Sequence, residues 1–396
     1  MTVTSIVSEL KEGFLADRIG QLSDVAADLH ANPELRMMEH RASARLADEL
    51  EEAGFAVERG YAGLDTAFVG RWSTPDADET APNIAIYCEY DALPGIGHGC
   101  GHNIIAACGL GAALLVKDLL SDRPGTPARL TVVGSPGEEG SAGKVPMIEA
   151  GVLDEVDLAM MIHPGITNNS DIVTLACAEF EITFTGRASH AASEPEEGVN
   201  ALDASTLSLN AIGLLRQQLP DDIRIHSIIT DGGQAPNVIP ESSSILCLVR
   251  GKDNEQLLDN VIPRVKRCFE GAALATGTTV EITQDIPAYL AMEPSPGLAE
   301  LATEAFIACG REMNLTPIGA GSTDMGNVSQ VVPSIHPIIA LDEGLVPHTR
   351  EFAAASGSAE AVPVIADGAV IMAATTLHVL QNPSLVADFA AEFECR

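Results

Sequence analysis

Histidine, cysteine and carboxylate side chains crowd into one short stretch of this sequence, Glu89-Tyr90-Asp91-Ala92-Leu93-Pro94-Gly95-Ile96-Gly97-His98-Gly99-Cys100-Gly101-His102-Asn103. Thiolate and imidazole together suit a zinc-type cation, and the glycines between them let the backbone fold around an ion. Of the eight cysteines, Cys100, with a histidine two residues to either side, is the one whose setting reads as chemistry. The others lie mostly in apolar runs, where a free thiol behaves as a small hydrophobe. A second stretch, Ser135-Pro136-Gly137-Glu138-Glu139-Gly140, sets two carboxylates side by side in an irregular turn. Side chains leaving such a turn in different directions can divide the work, one carboxylate on a metal and one on the water that the metal activates. His163-Pro164-Gly165 and Val346-Pro347-His348-Thr349 add two loop histidines. A single histidine is more often structural than a ligand, but several segments all carrying zinc-type side chains are better explained by one converging site.

Convergence requires a scaffold that delivers those segments to one edge. Short β-branched or apolar runs at 67–72, 83–88, 130–134 and 158–162 read as strands, separated by helical patterns such as 104–120. Strands alternating with helices indicate an α/β layer with a mostly parallel sheet. The chemistry-bearing segments follow three of these strands, at the edge where open α/β sheets bind ligands. Upstream, apolar spacing predicts amphipathic helices over 5–30 and 39–53. From about residue 178 the pattern changes to strand 179–185, helix 199–218, strands 224–230 and 243–249, helix 255–275 and strand 278–283. That is a β-α-β-β-α-β, ferredoxin-like unit. Helical and strand patterns then return at 298–311, 335–341 and 362–380, so the expected organisation is a first domain in two parts, 1–177 and 287–396, with a second domain, 178–286, inserted.

A chain of 396 residues with 46% hydrophobic content can bury a substantial core, enough for two or three domains. Its 56 acidic against 22 basic residues give a formal net charge of -34. Such a field repels nucleic acid and anionic membranes, which argues against both as partners and leaves a solvated surface as the ordinary role of the charge. No apolar run is expected to span a bilayer, the first residues mix charge with apolar spacing, and scattered cysteines do not suggest a disulfide framework. A cytoplasmic location is the expectation.

With these motifs in place the sequence resembles the aminoacylase, glutamate carboxypeptidase and indoleacetyl-amino-acid hydrolase group of dinuclear metallopeptidases. The similarity runs from His30-Ala-Asn-Pro-Glu-Leu35 to Thr349-Arg-Glu-Phe352. It is strongest toward the branch with aminobenzoyl-glutamate hydrolase B and the Xaa-Arg (β-alanyl-lysine) dipeptidases, on residues 97–103, Gly321-Ser-Thr-Asp-Met-Gly-Asn-Val-Ser329 and Val332-Pro-Ser-Ile-His-Pro337. Many relatives carry a metal-binding histidine where this chain has Glu89, and the Cys100 and His102 pair belongs to the branch that lacks it. The resemblance implies two divalent ions per subunit, zinc or manganese, held by Cys100, His102, Glu139, His163 and His348, with Glu138 as general base. It implies that the inserted domain is a lid and homodimerisation domain. There, His190 would reach the substrate carbonyl, often from the partner subunit, while Asn237 holds the substrate and Arg250 is a candidate for its carboxylate. The implied activity is hydrolysis of the amide bond of a dipeptide or N-acyl amino acid. An aminobenzoyl-glutamate-type hydrolase is the alternative among enzymes. A non-catalytic dimeric metal-binding scaffold is the alternative outside them, and it would have no need of a general base.

Overall fold

In the computed structural model, which describes every residue except Pro317 and Ala320 and only the backbone of Ile318 and Gly319, the stretch expected as one helix over 5–30 is two. Helix α1 (Val3–Glu9) and helix α2 (Leu15–Ala31) are joined by a π-helical turn, Leu10–Phe14. The wider turn rotates the following helix, so that the apolar stripe passes from Val3, Ile6, Val7 and Leu10 to Leu22, Val25, Ala26 and Leu29 without leaving the core. Helix α3 (His40–Glu52), β1 (Ala56–Arg59), β2 (Phe68–Ser73), β3 (Asn83–Glu89), α4 (His102–Asp122), β4 (Arg129–Ser135), the short α5 (Lys144–Glu149), β5 (Leu158–Met160) and β6 (His163–Gly165) follow. β1 is a short, mostly exposed edge strand whose charged residues hid it from the apolar pattern.

The unit Thr174–Ala291 is compact in itself. It contains β7 (Ala176–Thr185), α6 (Ala201–Leu215), β8 (Arg224–Asp231), β9 (Ser242–Gly251), α7 (Ile262–Thr276) and β10 (Thr279–Thr283). Its sheet has the order β10-β7-β9-β8, with every neighbouring pair antiparallel, which is the ferredoxin-like arrangement. Along β9 the buried residues are Ser243, Ile245, Cys247, Val249 and Gly251. That period of two turns one face onto a core with Phe180, Ile182, Phe184, Ala201, Ala204, Val265 and Phe269. β8 is an edge strand, and Ile228 on it is 61% exposed.

The other unit pairs Met1–Val173 with Met292–Arg396. The later segment supplies α8 (Pro296–Ala308), β11 (Ser334–Ile335), β12 (Ile338–Ala340) and α9 (Ala361–Gln381). Its six-stranded sheet runs β1-β2-β4-β3-β5-β11, antiparallel across the first two pairs and parallel across the rest. β3 is buried at all seven positions, as a central parallel strand with both faces covered must be. Ile84, Ile86 and Cys88 face α2, α4 and α9, whereas Ala85 and Tyr87 face Met147, Leu153, Met325 and Val328. Helices α4 and α9 are, against expectation, long and apolar enough to cross a bilayer, yet most of each is buried inside this unit. A helix apolar on nearly every face is a core helix when protein surrounds it. The run expected at 158–162 forms a strand only to Met160, the run expected at 335–341 breaks in two, and its second piece, β12, pairs in parallel with β6, read in the sequence as the segment after the strand, as a small separate sheet.

Candidate metal centre

The strand ends deliver the chemistry. β3 ends at Glu89 and its continuation carries Asp91; the chain then loops to Gly101, the left-handed N-cap of α4, which makes His102 the first helical residue. Gly101 has no substitute here: its φ of +78° is disfavoured for L residues, and a Cβ would stand 2.5 Å from Pro164 Cγ. β4 leads to Gly137, also left-handed, and the irregular turn after it brings Glu138 and Glu139 together at the site. β6 begins with His163. His348 sits on a loop with its N–H donating to Gly99 O at 2.8 Å and φ at +65°, a strained backbone of the kind found at functional sites.

These residues meet. Ligand-type atoms of Cys100, His102 and His163 lie within 4.8 Å of one another, as do those of Cys100, Glu139 and His348 and those of His102, Glu138 and Glu139. Cys100 Sγ is 3.4 Å from His163 Nε2 and 3.3 Å from His348 Nε2, and His348 Nε2 is 3.5 Å from Glu139 Oε1. The outer nitrogens fix the rings. His102 Nδ1 donates to Asp91 Oδ1 at 2.9 Å, and Asp91 Oδ2 accepts the Glu139 N–H at 2.9 Å. His163 Nδ1 donates to Pro164 O at 2.6 Å. Each Nε2 is thereby left with its lone pair inward, as metal-binding imidazoles are oriented. His102 Nε2 and Glu139 Oε1 are buried without a hydrogen-bond partner among the described residues. Such atoms require one, and a divalent cation can serve imidazole nitrogen, thiolate and carboxylate together. The residues fit neighbouring divalent ions, with Cys100, His102 and Glu139 each belonging to two of the three groups.

Burial pushes the Cys100 thiol up to about 12 and His163 down to about 3. It lowers His102 too, but Asp91 and Cys100 outweigh it and hold that imidazole well above its ordinary value. Burial, followed by Glu89 and Glu139, raises Glu138 well above the usual carboxyl range. A cation among these groups opposes the preference for neutral acids, because its charge favours thiolate and carboxylate.

The site is pinned from behind by the loop between α2 and α3. Arg36 donates to Glu139 O at 2.8 Å, and buried Glu39 accepts from the N–H groups of Met37 at 2.7 Å and Gly137 at 2.9 Å and from Thr66 Oγ1 at 2.8 Å. Burial still carries the Glu39 carboxyl up to about 7 from its ordinary 4.5. The folded chain therefore binds this proton more tightly than the unfolded one. Its contribution to stability is complete below about pH 4.5 and is lost as the pH rises through about 7, by an order-of-magnitude 3 kcal/mol. Glu39→Gln keeps an acceptor and cannot ionise. Urea unfolding of chelator-treated protein should show the variant gaining on the parent between pH 5 and pH 8; an equal difference at both pH values contradicts this.

His98, flagged by its spacing from Cys100, is in none of the three clusters; its Nε2 faces Leu29 O at 3.2 Å. The sequence reading also missed Asp91 as the orienting partner of His102, although it stands in the same motif. In the inserted unit His190 is exposed, and its Nδ1 accepts the N–H groups of Ala192 at 3.2 Å and Ser193 at 3.1 Å. With Nδ1 accepting, the proton sits on Nε2, which is left as a donor. Asn237 is exposed and its carbonyl accepts the Ala191 N–H, which ties it to the His190 segment. Arg250 lies on β9 opposite Cys177 and Arg224, on the face away from the helices.

The profile of peptidase family M20/M25/M40 matches residues 85–378. The Xaa-Arg dipeptidase of Mus musculus is 37% identical over 96% of this chain and 90% of its own length. One of the p-aminobenzoyl-glutamate hydrolase polypeptides of Escherichia coli K12 is 36% identical over 68% of this chain and 58% of its own length. Among solved structures, the Bacillus subtilis YXEP protein, a dinuclear metal-binding peptidase of the M20 family, superimposes with a TM-score of 0.66 at 20% identity, covering 92% of this chain and 99% of that one.

Proposed function

The chain belongs to peptidase family M20/M25/M40 and is a metal-dependent amide hydrolase, and from that premise we propose that it is a dinuclear zinc dipeptidase that prefers a cationic C-terminal residue. Cys100, His102, Glu139, His163 and His348 would hold the ions. Cys100, His102 and Glu139 each belong to two of the three ligand clusters, which supports neighbouring ions that share this donor set. Zinc is favoured over manganese by a thiolate and imidazole donor set. Bound there, a divalent ion lowers the pKa of water from 15.7 to about 7 and polarises a carbonyl.

The chain's own residues do the rest. Glu138, which stands with His102 and Glu139 but in neither group that contains Cys100, accepts the proton of the attacking water and passes it to the leaving nitrogen. Its raised proton affinity, caused by burial and by Glu89 and Glu139, suits a group that must both take and return a proton. His190 donates its Nε2–H to the developing oxyanion, while Asn237 and Arg250 hold the substrate. The inserted unit is a lid and the interface of a homodimer. Exposed Ile228 and Ile229 on the edge strand β8 support that reading, because an apolar edge paired across a twofold axis is covered. A cytoplasmic setting is part of the same reading, supported by eight free cysteines.

The net charge of -34 and the Xaa-Arg dipeptidase relative support a cationic substrate. A panel of dipeptides, N-acyl amino acids and aminobenzoyl-glutamate, assayed before and after chelation, tests this. Activity should vanish with the chelator and return with zinc. Dipeptides ending in arginine or lysine should lead the anionic substrates by about tenfold or more in kcat/KM, with the margin shrinking as salt rises. Preference for aminobenzoyl-glutamate would select the alternative hydrolase.

A further inference from the structure

Lys144, the first residue of α5, is entirely buried. Its Nζ meets Asp324 Oδ1 at 2.6 Å and Glu89 Oε1 at closer range, and its backbone N–H donates to Asp324 Oδ2 at 3.0 Å. Glu89 and Asp324 are also fully buried. Three charges removed from water are a poor way to stabilise a core, since apolar side chains of similar volume commonly do as well or better. Their arrangement points to a different use. Only one oxygen of Glu89 is taken up by Lys144. The other, Oε2, is buried without a hydrogen-bond partner among the described residues and lies 3.8 Å from His102 Nε2, which is likewise without one. That separation is too long for a hydrogen bond. It matches two ligands each about 2.1 Å from a shared cation, set at a wide angle.

We propose that Glu89 supplies a further carboxylate ligand to the ion carried by His102, and that Lys144, braced by Asp324, is the positioning residue that turns Glu89 toward it. The inference rests on the metal-centre reading above. Lys144 occupies Oε1 and so presents Oε2, and its positive charge offsets part of the carboxylate charge gathered behind the ions. Asp324 grips both the backbone and the ammonium of Lys144, which ties the start of α5 and the segment ahead of residues 325–329 to the end of β3.

Metal content and zinc affinity, measured by competition with a chromophoric chelator, test the proposal without recourse to turnover. In Glu89→Gln the amide oxygen can still accept from Lys144, but an NH2 group, which cannot bind a cation, is turned toward His102. Affinity for one of the two ions should fall ten- to a hundredfold. The other ion, held on the Glu139 and His348 side, should bind as in the parent. The triple variant Lys144→Met, Glu89→Gln, Asp324→Asn removes all three charges together, so its fold is not burdened by an unpaired buried ion, and it should show the same loss. Two ions bound with parental affinity by folded Glu89→Gln, or by the triple variant, would overturn the assignment of Glu89 and Lys144 alone. A parent chain that binds no divalent ion would overturn the metal centre itself and this inference with it.

Discussion

Glu138→Gln is expected to lower kcat by a hundred- to ten-thousandfold, the range associated with a positioned general base, while both ions stay bound. The neighbouring substitution Glu139→Ala is expected to lose turnover and an ion together. The contrast rests on the turn after β4. Gly137 is left-handed at φ 68°, Glu139 departs from helical geometry at ψ 66°, and Gly140 is left-handed at φ 87°. A regular strand would send these two side chains to opposite faces, whereas this turn brings both carboxylates to the site, within 4.8 Å of each other. Glu139 Oε1 is 3.5 Å from His348 Nε2, and its backbone N–H is fixed by Asp91. Glu138 stands in the cluster with His102 but in neither of the groups that contain Cys100. Glutamine at 138 preserves volume and one acceptor oxygen yet cannot take up a proton, so the loss should appear in kcat with little change in KM. Full activity in Glu138→Gln, or loss of an ion from it, would show that the two carboxylates have been assigned the wrong way round.

The sheet and the ligand cluster were legible in the sequence because they obey local rules. β3 and β4 are apolar runs closed by glycine-rich turns, and each hands its chemistry to the segment after it. The β-α-β-β-α-β unit announced itself by alternating periods of two and 3.6. The failures share a different physics. Nothing in residues 10–14 marks a π turn, because the turn answers to the need of two stripes to face one core. His98 and His102 are equally spaced from Cys100, yet a left-handed glycine and a helix start separate them: His102 turns inward, and His98 is left against Leu29. Lys144 and Asp324 are 180 residues apart in sequence and meet only in the fold. A lysine six residues beyond Glu138 looks like surface charge until burial is known. Long-range polar networks of this kind are the part of a site that a single sequence conceals, since their members carry no shared motif.

His190 decides whether the inserted unit takes part in catalysis. Its ring is set for donation, because two backbone N–H groups occupy Nδ1 and leave the proton on Nε2. A donor of that kind aimed at a developing oxyanion is worth a hundred- to a thousandfold, so His190→Ala should lower kcat and kcat/KM together by about that factor, with metal content unchanged. A dimer allows a stronger test. If His190 acts on the partner's metal centre, a mixed dimer of a Glu138→Ala chain and a His190→Ala chain has one site with both residues intact and one with neither. Two inactive proteins mixed under exchange conditions should then recover activity approaching about a quarter of the wild-type value, the fraction expected for random pairing in a twofold assembly. Were His190 to serve its own chain, every site in the mixture would still lack one residue and no activity would return. Sedimentation of the mixed sample, with one variant tagged, establishes that exchange has occurred. Confirmed mixed dimers without recovery would therefore exclude action across the interface, and parental kcat in His190→Ala would remove the residue from the reaction altogether.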